Sequence, residues 1–140
     1  MKHKNSNCEF ASERSELLLR NFRESIARQS VISAKRAFRD AANAPAPRFW
    51  VSESRAMRII SMMMKGEDPT TGMHSEKREM YLEIFRRVVE RKNLEPDTPL
   101  GDIVFKIVNS EAPKSYLSWQ YASRLISRQR KSGNRSSKIC

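Results

Sequence analysis

The sequence predicts an all-α fold, on three observations. Apolar residues recur at helical spacing, for example at Leu18, Phe22 and Ile26. No alternating pattern persists around the short β-branched pairs, so no strand is expected. The segments 43–60 and 109–126 also match each other in one constant register without a gap, which indicates a duplicated helical unit.

The duplication rests on seven identities among 18 aligned positions, where chance gives about one. The period of this internal repeat is too long for a solenoid and suits two small tandem modules of three helices each. The identical pairs are Asn43/Asn109, Ala46/Ala112, Pro47/Pro113, Ser52/Ser118, Ala56/Ala122, Arg58/Arg124 and Ile60/Ile126.

The duplication predicts a first module at 12–65 and a second at 75–131, joined by a linker at 66–74 that contains glycine, proline and threonine. The polar segment 1–11 and the basic segment 132–140 are expected to be disordered ends. Modules of this size are marginal alone, so we expect them to pack on each other or on a partner.

The first module opens with a helix expected at 12–28, because acidic residues in its first turn favour the helix dipole. A second helix, capped by Ser30 or Ser33, is expected to follow over 33–43. The local sequence leaves open whether the two segments form one continuous helix.

The second module repeats this order. Ser75 is expected to cap a helix that ends near Lys92 and carries a stripe of apolar residues. Two prolines within 93–99 break the chain, and a further helix is expected over 100–108.

A connector with proline then follows in each module. Pro47 and Pro113 occupy equivalent positions, and proline both disfavours a helix interior and pushes the preceding residue toward extended geometry. The aromatic residues Trp50 and Tyr116 are expected to lie in the module cores.

The charge of the chain is strongly basic, with 27 Lys and Arg against 16 Asp and Glu, a net charge of +11 and a pI of about 10.2. Such a balance indicates a polyanionic partner, such as nucleic acid or an acidic membrane surface. The charge is distributed unevenly along the chain. Residues 110–140 hold seven basic residues and one acidic residue, whereas residues 66–109 hold seven basic and nine acidic residues.

Residues suited to catalysis or metal binding are scarce. Cys8 and Cys140 form no C-x-x-C pair, His3 and His74 stand alone, and the four glycines form no phosphate-binding loop. We therefore expect a non-enzymatic protein without cofactor or metal. No apolar run is long enough for a membrane span and the start lacks a signal-peptide core, so we expect a cytoplasmic protein without a membrane partner.

The third helices, expected at 52–65 and 118–131, begin with a shared pattern. An aliphatic residue precedes a capping serine, alanine follows four positions later, and an aliphatic pair stands at offsets seven and eight. Residues at these offsets lie on one face of the helix, and this face can pack against the other two helices of the module. The pattern resembles the start of the recognition helix in bacterial helix-turn-helix DNA-binding domains, and this resemblance implies that each third helix enters a major groove.

The resemblance also implies which residues contact nucleic acid. The capping serines can bond phosphates, outward Arg and Gln side chains can read bases, and neighbouring Lys and Arg can hold phosphates. The expected nucleic-acid-binding residues are Arg48, Ser52, Ser54, Arg55, Arg58, Lys114, Ser118, Trp119, Gln120, Arg124, Arg128, Arg130 and Lys131.

The function expected from this reasoning is binding of duplex DNA, in preference to RNA, by a transcription regulator or by an accessory factor of a mobile element or phage. Two alternatives stay open. One is a helical adaptor, or a homodimer, that uses its Met-rich stretch 57–73 for a protein partner. The other is an RNA-binding protein that uses its basic C-terminal segment, where Trp119 and Tyr121 stack on unpaired bases.

Overall fold

The structure is a computed structural model that describes residues 4–132. The predicted all-α fold is confirmed, because these residues form six α-helices and no strand. The helices are α1 (Lys4–Arg28), α2 (Ala34–Asn43), α3 (Glu53–Met64), α4 (Ser75–Leu94), α5 (Leu100–Val108) and α6 (Trp119–Ser132).

Serine caps define three of the helix starts. The hydroxyls of Ser33, Ser52 and Ser118 each accept a hydrogen bond of 3.2 Å from the backbone N–H three residues later. Each bond satisfies a donor that the first turn of a helix leaves free. The predicted caps of the second and third helices are therefore confirmed, and α1 and α2 are separate helices because the chain leaves helical geometry between them.

Two predicted helix starts are wrong. α1 begins at Lys4 rather than near Ser12, and no glycine or proline occurs between Lys4 and Ala11. α4 includes Ser75, and the capping position belongs to His74, whose side chain makes no capping bond. The predicted disorder of the C-terminal tail concerns residues 133–140, which lie outside the described residues.

The chain divides into two compact units that each contain three helices. Unit 1 consists of residues 4–46 and 113–132 within the described chain, with α1, α2 and α6. Unit 2 consists of residues 47–112, with α3, α4 and α5. Each unit therefore combines two successive helices from one copy of the predicted repeat with the third helix of the other copy.

This division differs from the predicted modules 12–65 and 75–131, which follow the chain without exchange of a helix. The unit boundaries fall after Ala46 and after Ala112, which are equivalent positions of the two sequence copies. The connectors that contain Pro47 and Pro113 thus begin where the chain passes from one unit to the next.

A backbone hydrogen bond holds each connector against a helix of its own unit. In unit 2, the N–H of Phe49 donates to the carbonyl of Val108 at 3.0 Å, at the end of α5. In unit 1, the N–H of Ser115 donates to the carbonyl of Ala42 at 3.0 Å, in the last turn of α2. Each bond satisfies a carbonyl that the helix end leaves free, and it positions the third helix that follows.

The buried aromatic residue of the first connector is Phe49, which is fully buried, whereas the expected Trp50 is only half-buried. The Arg87 guanidinium lies 5.1 Å from the centroid of the Phe49 ring, a distance that allows a cation–π contact. In the second connector Tyr116 is buried as predicted. Its φ of 59° lies in the left-handed region, which costs backbone energy for a residue with a Cβ.

The core of unit 1 forms where α6 contacts both α1 and α2. Phe22 and Phe38 stack with their ring centroids 4.9 Å apart at the edge of this core. The buried residues of the cluster are Leu18, Phe22, Ala37, Ala41, Ala42, Ala122, Leu125 and Ile126.

The core of unit 2 forms where α3 contacts both α4 and α5, with Ile60, Tyr81 and Ile84 fully buried. The predicted linker 66–74 is folded onto this unit. Thr70 is fully buried, and its hydroxyl donates to Asp68 at 2.6 Å. This hydrogen bond lowers the pKa of the Asp68 carboxyl below its usual value.

The exchange of third helices predicts the cost of truncating Ile126, which is fully buried in unit 1. We expect Ile126→Ala to lower the free energy of unfolding of unit 1 by about 2–5 kcal/mol, because the substitution leaves a cavity between α6 and its two supports. Urea titrations followed by circular dichroism would measure this loss. The control Ile32→Ala changes a residue that is 60% exposed, so its effect should stay within about 0.5 kcal/mol. Equal effects of the two substitutions would contradict the packing of α6.

Candidate nucleic-acid interface

The net positive charge of the described residues lies in unit 1. The described part of this unit holds thirteen Lys and Arg against five Asp and Glu, a net charge of +8. Unit 2 holds eleven of each and is neutral. Unit 1 therefore supplies the net positive charge that attracts a polyanion.

Ion pairs within α4 and just after it hold acids of unit 2 beside its cations. Glu83 pairs with Arg86 at 2.8 Å and with Arg87 at 2.7 Å, and Arg91 pairs with Glu95 at 2.9 Å. Hydrogen bonds from Arg86 and then Arg87 lower the pKa of Glu83, and bonds from Arg91 and then Thr98 lower the pKa of Glu95. Both carboxylates therefore stay charged at neutral pH, and they offset neighbouring cations.

The helix α6 carries no acidic residue. Gln120, Arg124, Arg128 and Lys131 follow one another at spacings of four, four and three residues, so they share one side of the helix. All four side chains are exposed. We call these four residues the α6 basic face.

The cations of α6 take part in none of the ion pairs among the residues that the structure describes. These cations are Arg124, Arg128, Arg130 and Lys131. A side chain with no internal partner gives up only its contact with water when it binds a phosphate, so it keeps most of the electrostatic gain.

The helix α2 extends the positive surface at the start of α6. The Lys35 ammonium lies 5.1 Å from the centroid of the Trp119 ring, which joins the first turns of α2 and α6. Arg36 and Arg39 are exposed on the same helix, and the one acid of α2, Asp40, accepts a hydrogen bond from Ser25 at 2.7 Å. The bases of α2 were not among the predicted binding residues, although the cluster K-R-A-F-R at 35–39 is visible in the sequence.

Three predicted residues of unit 1 have partners within the unit. Trp119 is half-buried beneath Lys35, and the Lys114 ammonium lies 5.4 Å from the centroid of the Tyr116 ring. Ser118 caps α6 through its hydroxyl. The remaining predicted residues of this unit, Gln120, Arg124, Arg128, Arg130 and Lys131, are exposed.

The predicted residues of unit 2 have different surroundings. Ser54 and Arg58 are exposed on α3, while the Nε of Arg55 donates to the Tyr81 hydroxyl at 3.2 Å. Ser52 caps α3. The structure therefore divides the thirteen expected residues between the two units, eight in unit 1 and five in unit 2.

Arg48 holds the first connector together. Its guanidinium donates to the carbonyls of Phe49 at 2.9 Å and Val51 at 2.8 Å, and to the side-chain oxygen of Asn109 at 3.0 Å. These bonds use three of the five N–H donors of the guanidinium, so Arg48 is engaged within its own unit. No local pattern in the sequence indicates these partners, because Asn109 lies 61 residues away.

In comparisons with known proteins, no family model, curated protein or solved structure matches the chain. Within residues 4–132, no helix has the length and apolarity needed to cross a membrane. No group of three His, Cys, Asp or Glu side chains in that range is placed to hold a metal ion.

The contrast between Arg48 and Arg58 predicts different effects on stability. We expect Arg48→Ala to lower the free energy of unfolding by about 1–2 kcal/mol, because two backbone carbonyls lose a charged donor. Arg58→Ala should stay within about 0.5 kcal/mol, since its side chain is exposed. Thermal and urea unfolding would measure both variants, and Arg48→Lys should not restore stability because an ammonium cannot replace the planar fork. Equal effects of Arg48→Ala and Arg58→Ala would contradict the described role of Arg48.

Proposed function

We propose that the protein is a non-enzymatic DNA-binding protein that contacts duplex DNA through the α6 basic face. The observation that carries this proposal is the acid-free, unpaired and exposed row of Gln120, Arg124, Arg128 and Lys131, in a unit with a net charge of +8. A helix fits the major groove, which is about 12 Å wide. The class of protein that follows is a regulator, or an accessory factor of a mobile element.

The four residues of the α6 basic face have separate roles in this proposal. Gln120 and Arg124 lie nearest the start of the helix, where side chains reach base edges in helix-turn-helix complexes, and they can pair with adenine and guanine respectively. Arg128 and Lys131, with Lys35 of α2, hold phosphates and supply affinity without sequence information.

The proposal assigns DNA binding to α6 and not to α3. Arg58 is the counterpart of Arg124 in the other sequence copy, and both side chains are exposed. Arg58 lies in the neutral unit, however, so the unit that carries α3 supplies no net positive charge to draw a polyanion. The pair therefore supplies a matched test.

We expect Arg124→Ala to weaken duplex binding by about tenfold, because one side chain that contacts a base is lost. Arg58→Ala should leave the affinity unchanged. Fluorescence anisotropy of a labelled duplex with the full chain would measure both. With three phosphate contacts, from Arg128, Lys131 and Lys35, affinity should fall by about 40-fold between 50 and 200 mM salt, and Arg128→Ala should reduce the salt slope by about one.

Three outcomes of the anisotropy titrations would count against the proposal. Absence of duplex binding at low salt contradicts DNA binding altogether. Equal losses for Arg58→Ala and Arg124→Ala contradict the assignment to α6. Stronger competition by single-stranded RNA than by duplex DNA would favour the RNA-binding alternative.

A protein-binding role for unit 2 is a second candidate. This unit is neutral and exposes Leu94 and Phe105, whose relative exposures are 74% and 55%. Exposed apolar residues on a neutral surface favour a protein contact over a nucleic-acid contact. A complex that is insensitive to both salt and Arg124→Ala would support this candidate.

A further inference from the structure

The turn between α1 and α2 presents two aliphatic side chains to solvent. Val31 is 84% exposed and Ile32 is 60% exposed, the highest values among the large apolar residues of unit 1 that the structure describes. Single exposed apolar residues are common on protein surfaces, but two β-branched residues side by side at the tip of a turn are informative.

This turn is held in place by a chain of hydrogen bonds that starts in α2. Asp40 accepts from the buried hydroxyl of Ser25 at 2.7 Å, and Ser25 accepts from the Gln29 amide at 3.1 Å. The side-chain oxygen of Gln29 then accepts the backbone N–H of Ser33 at 2.6 Å. Because both ends of the turn are fixed, Val31 and Ile32 are presented outward and do not fold back onto the core of unit 1.

Positive charge surrounds the exposed pair. Arg28, Lys35 and Arg36 are exposed on either side of it, and no acidic residue occurs between Glu24 and Asp40. Lys35 also lies over the Trp119 ring at the start of α6. The aliphatic pair is therefore joined to the proposed DNA-binding surface through a cation that contacts α6.

The small apolar area of Val31 and Ile32 limits which kind of partner can bind them. Two side chains are far too few for a stable protein interface, which buries about 800 Å² on each partner. A pair of aliphatic side chains between cations suits a wedge that enters a base step, where apolar side chains partly unstack and kink a duplex.

We propose that Val31 and Ile32 form such a wedge and unstack a base step beside the α6 contact, which bends the bound DNA. This inference rests on the proposed DNA binding of unit 1. It implies a preference for flexible TA or CA steps at the wedge position, since these steps unstack at lower cost.

The test uses the full chain and duplexes that carry 2-aminopurine at successive steps, with a donor and an acceptor dye at the two ends. On binding, we expect 2-aminopurine fluorescence to rise at one step and the end-to-end distance to shorten. Val31→Ser plus Ile32→Ser should abolish both signals, weaken binding by about tenfold and keep the salt slope, because the phosphate contacts remain.

Two further variants complete the design. Leu94→Ser alters a similarly exposed aliphatic residue of unit 2 and should change neither signal. Val31→Leu plus Ile32→Leu keeps apolar bulk and should retain both signals. Circular dichroism of each variant would show that the helices are intact.

The possible outcomes separate the wedge from DNA binding itself. Binding by the unmodified chain without unstacking or bending overturns the wedge and leaves the proposed function intact, whereas absence of any duplex binding overturns both. Retention of unstacking in the Val31→Ser plus Ile32→Ser variant also overturns the wedge. Binding to phosphatidylserine vesicles that requires Val31 and Ile32, without unstacking of DNA, would assign the pair to a membrane surface instead.

Discussion

Two equivalent backbone hydrogen bonds, from Phe49 to Val108 and from Ser115 to Ala42, fix where the chain goes after each proline-containing connector. Each bond holds the connector at the end of a helix from the other sequence copy, and the third helix then covers the apolar face of that pair. Backbone bonds alone contribute little net free energy, on the order of 1 kcal/mol each. Burial of the third helix supplies most of the stabilisation. The connector determines which pair of helices the third helix packs against.

This exchange changes the distribution of charge. Divided along the chain into residues 4–65 and 66–132, the described residues would carry net charges of +6 and +2. The observed units carry +8 and zero, because the acid-free α6 joins the basic pair α1 and α2. The neutral unit keeps its acids close to its cations, as Glu83 does with Arg86 and Arg87. The same total charge thus becomes a concentrated potential on one unit, which is the physical basis for assigning polyanion binding to it.

Local sequence signals predicted the helices well. The caps at Ser52 and Ser118 and the helix at 100–108 depend on neighbouring residues alone, so short patterns determine them. The partner of each third helix was not predictable in this way. The third helices of both copies have similar apolar faces. The spacing of apolar residues shows which face of a helix is buried, but it does not show which other helices pack against that face. The roles of Arg48 and Phe49 were missed for a related reason, because both residues depend on contacts with distant parts of the chain.

The central claim is that α6 packs on α1 and α2, and side-chain NMR of the full chain tests it most directly. With methyl-labelled protein, the account predicts nuclear Overhauser effects from the methyl groups of Ile126 to side chains of the same cluster, including Leu18 and Ala41. Effects from Ile126 to Ile84 or Val88 of α4, in their place, would show that each third helix stays with its own sequence copy. That result would contradict the exchanged units and, with them, the concentration of charge on unit 1.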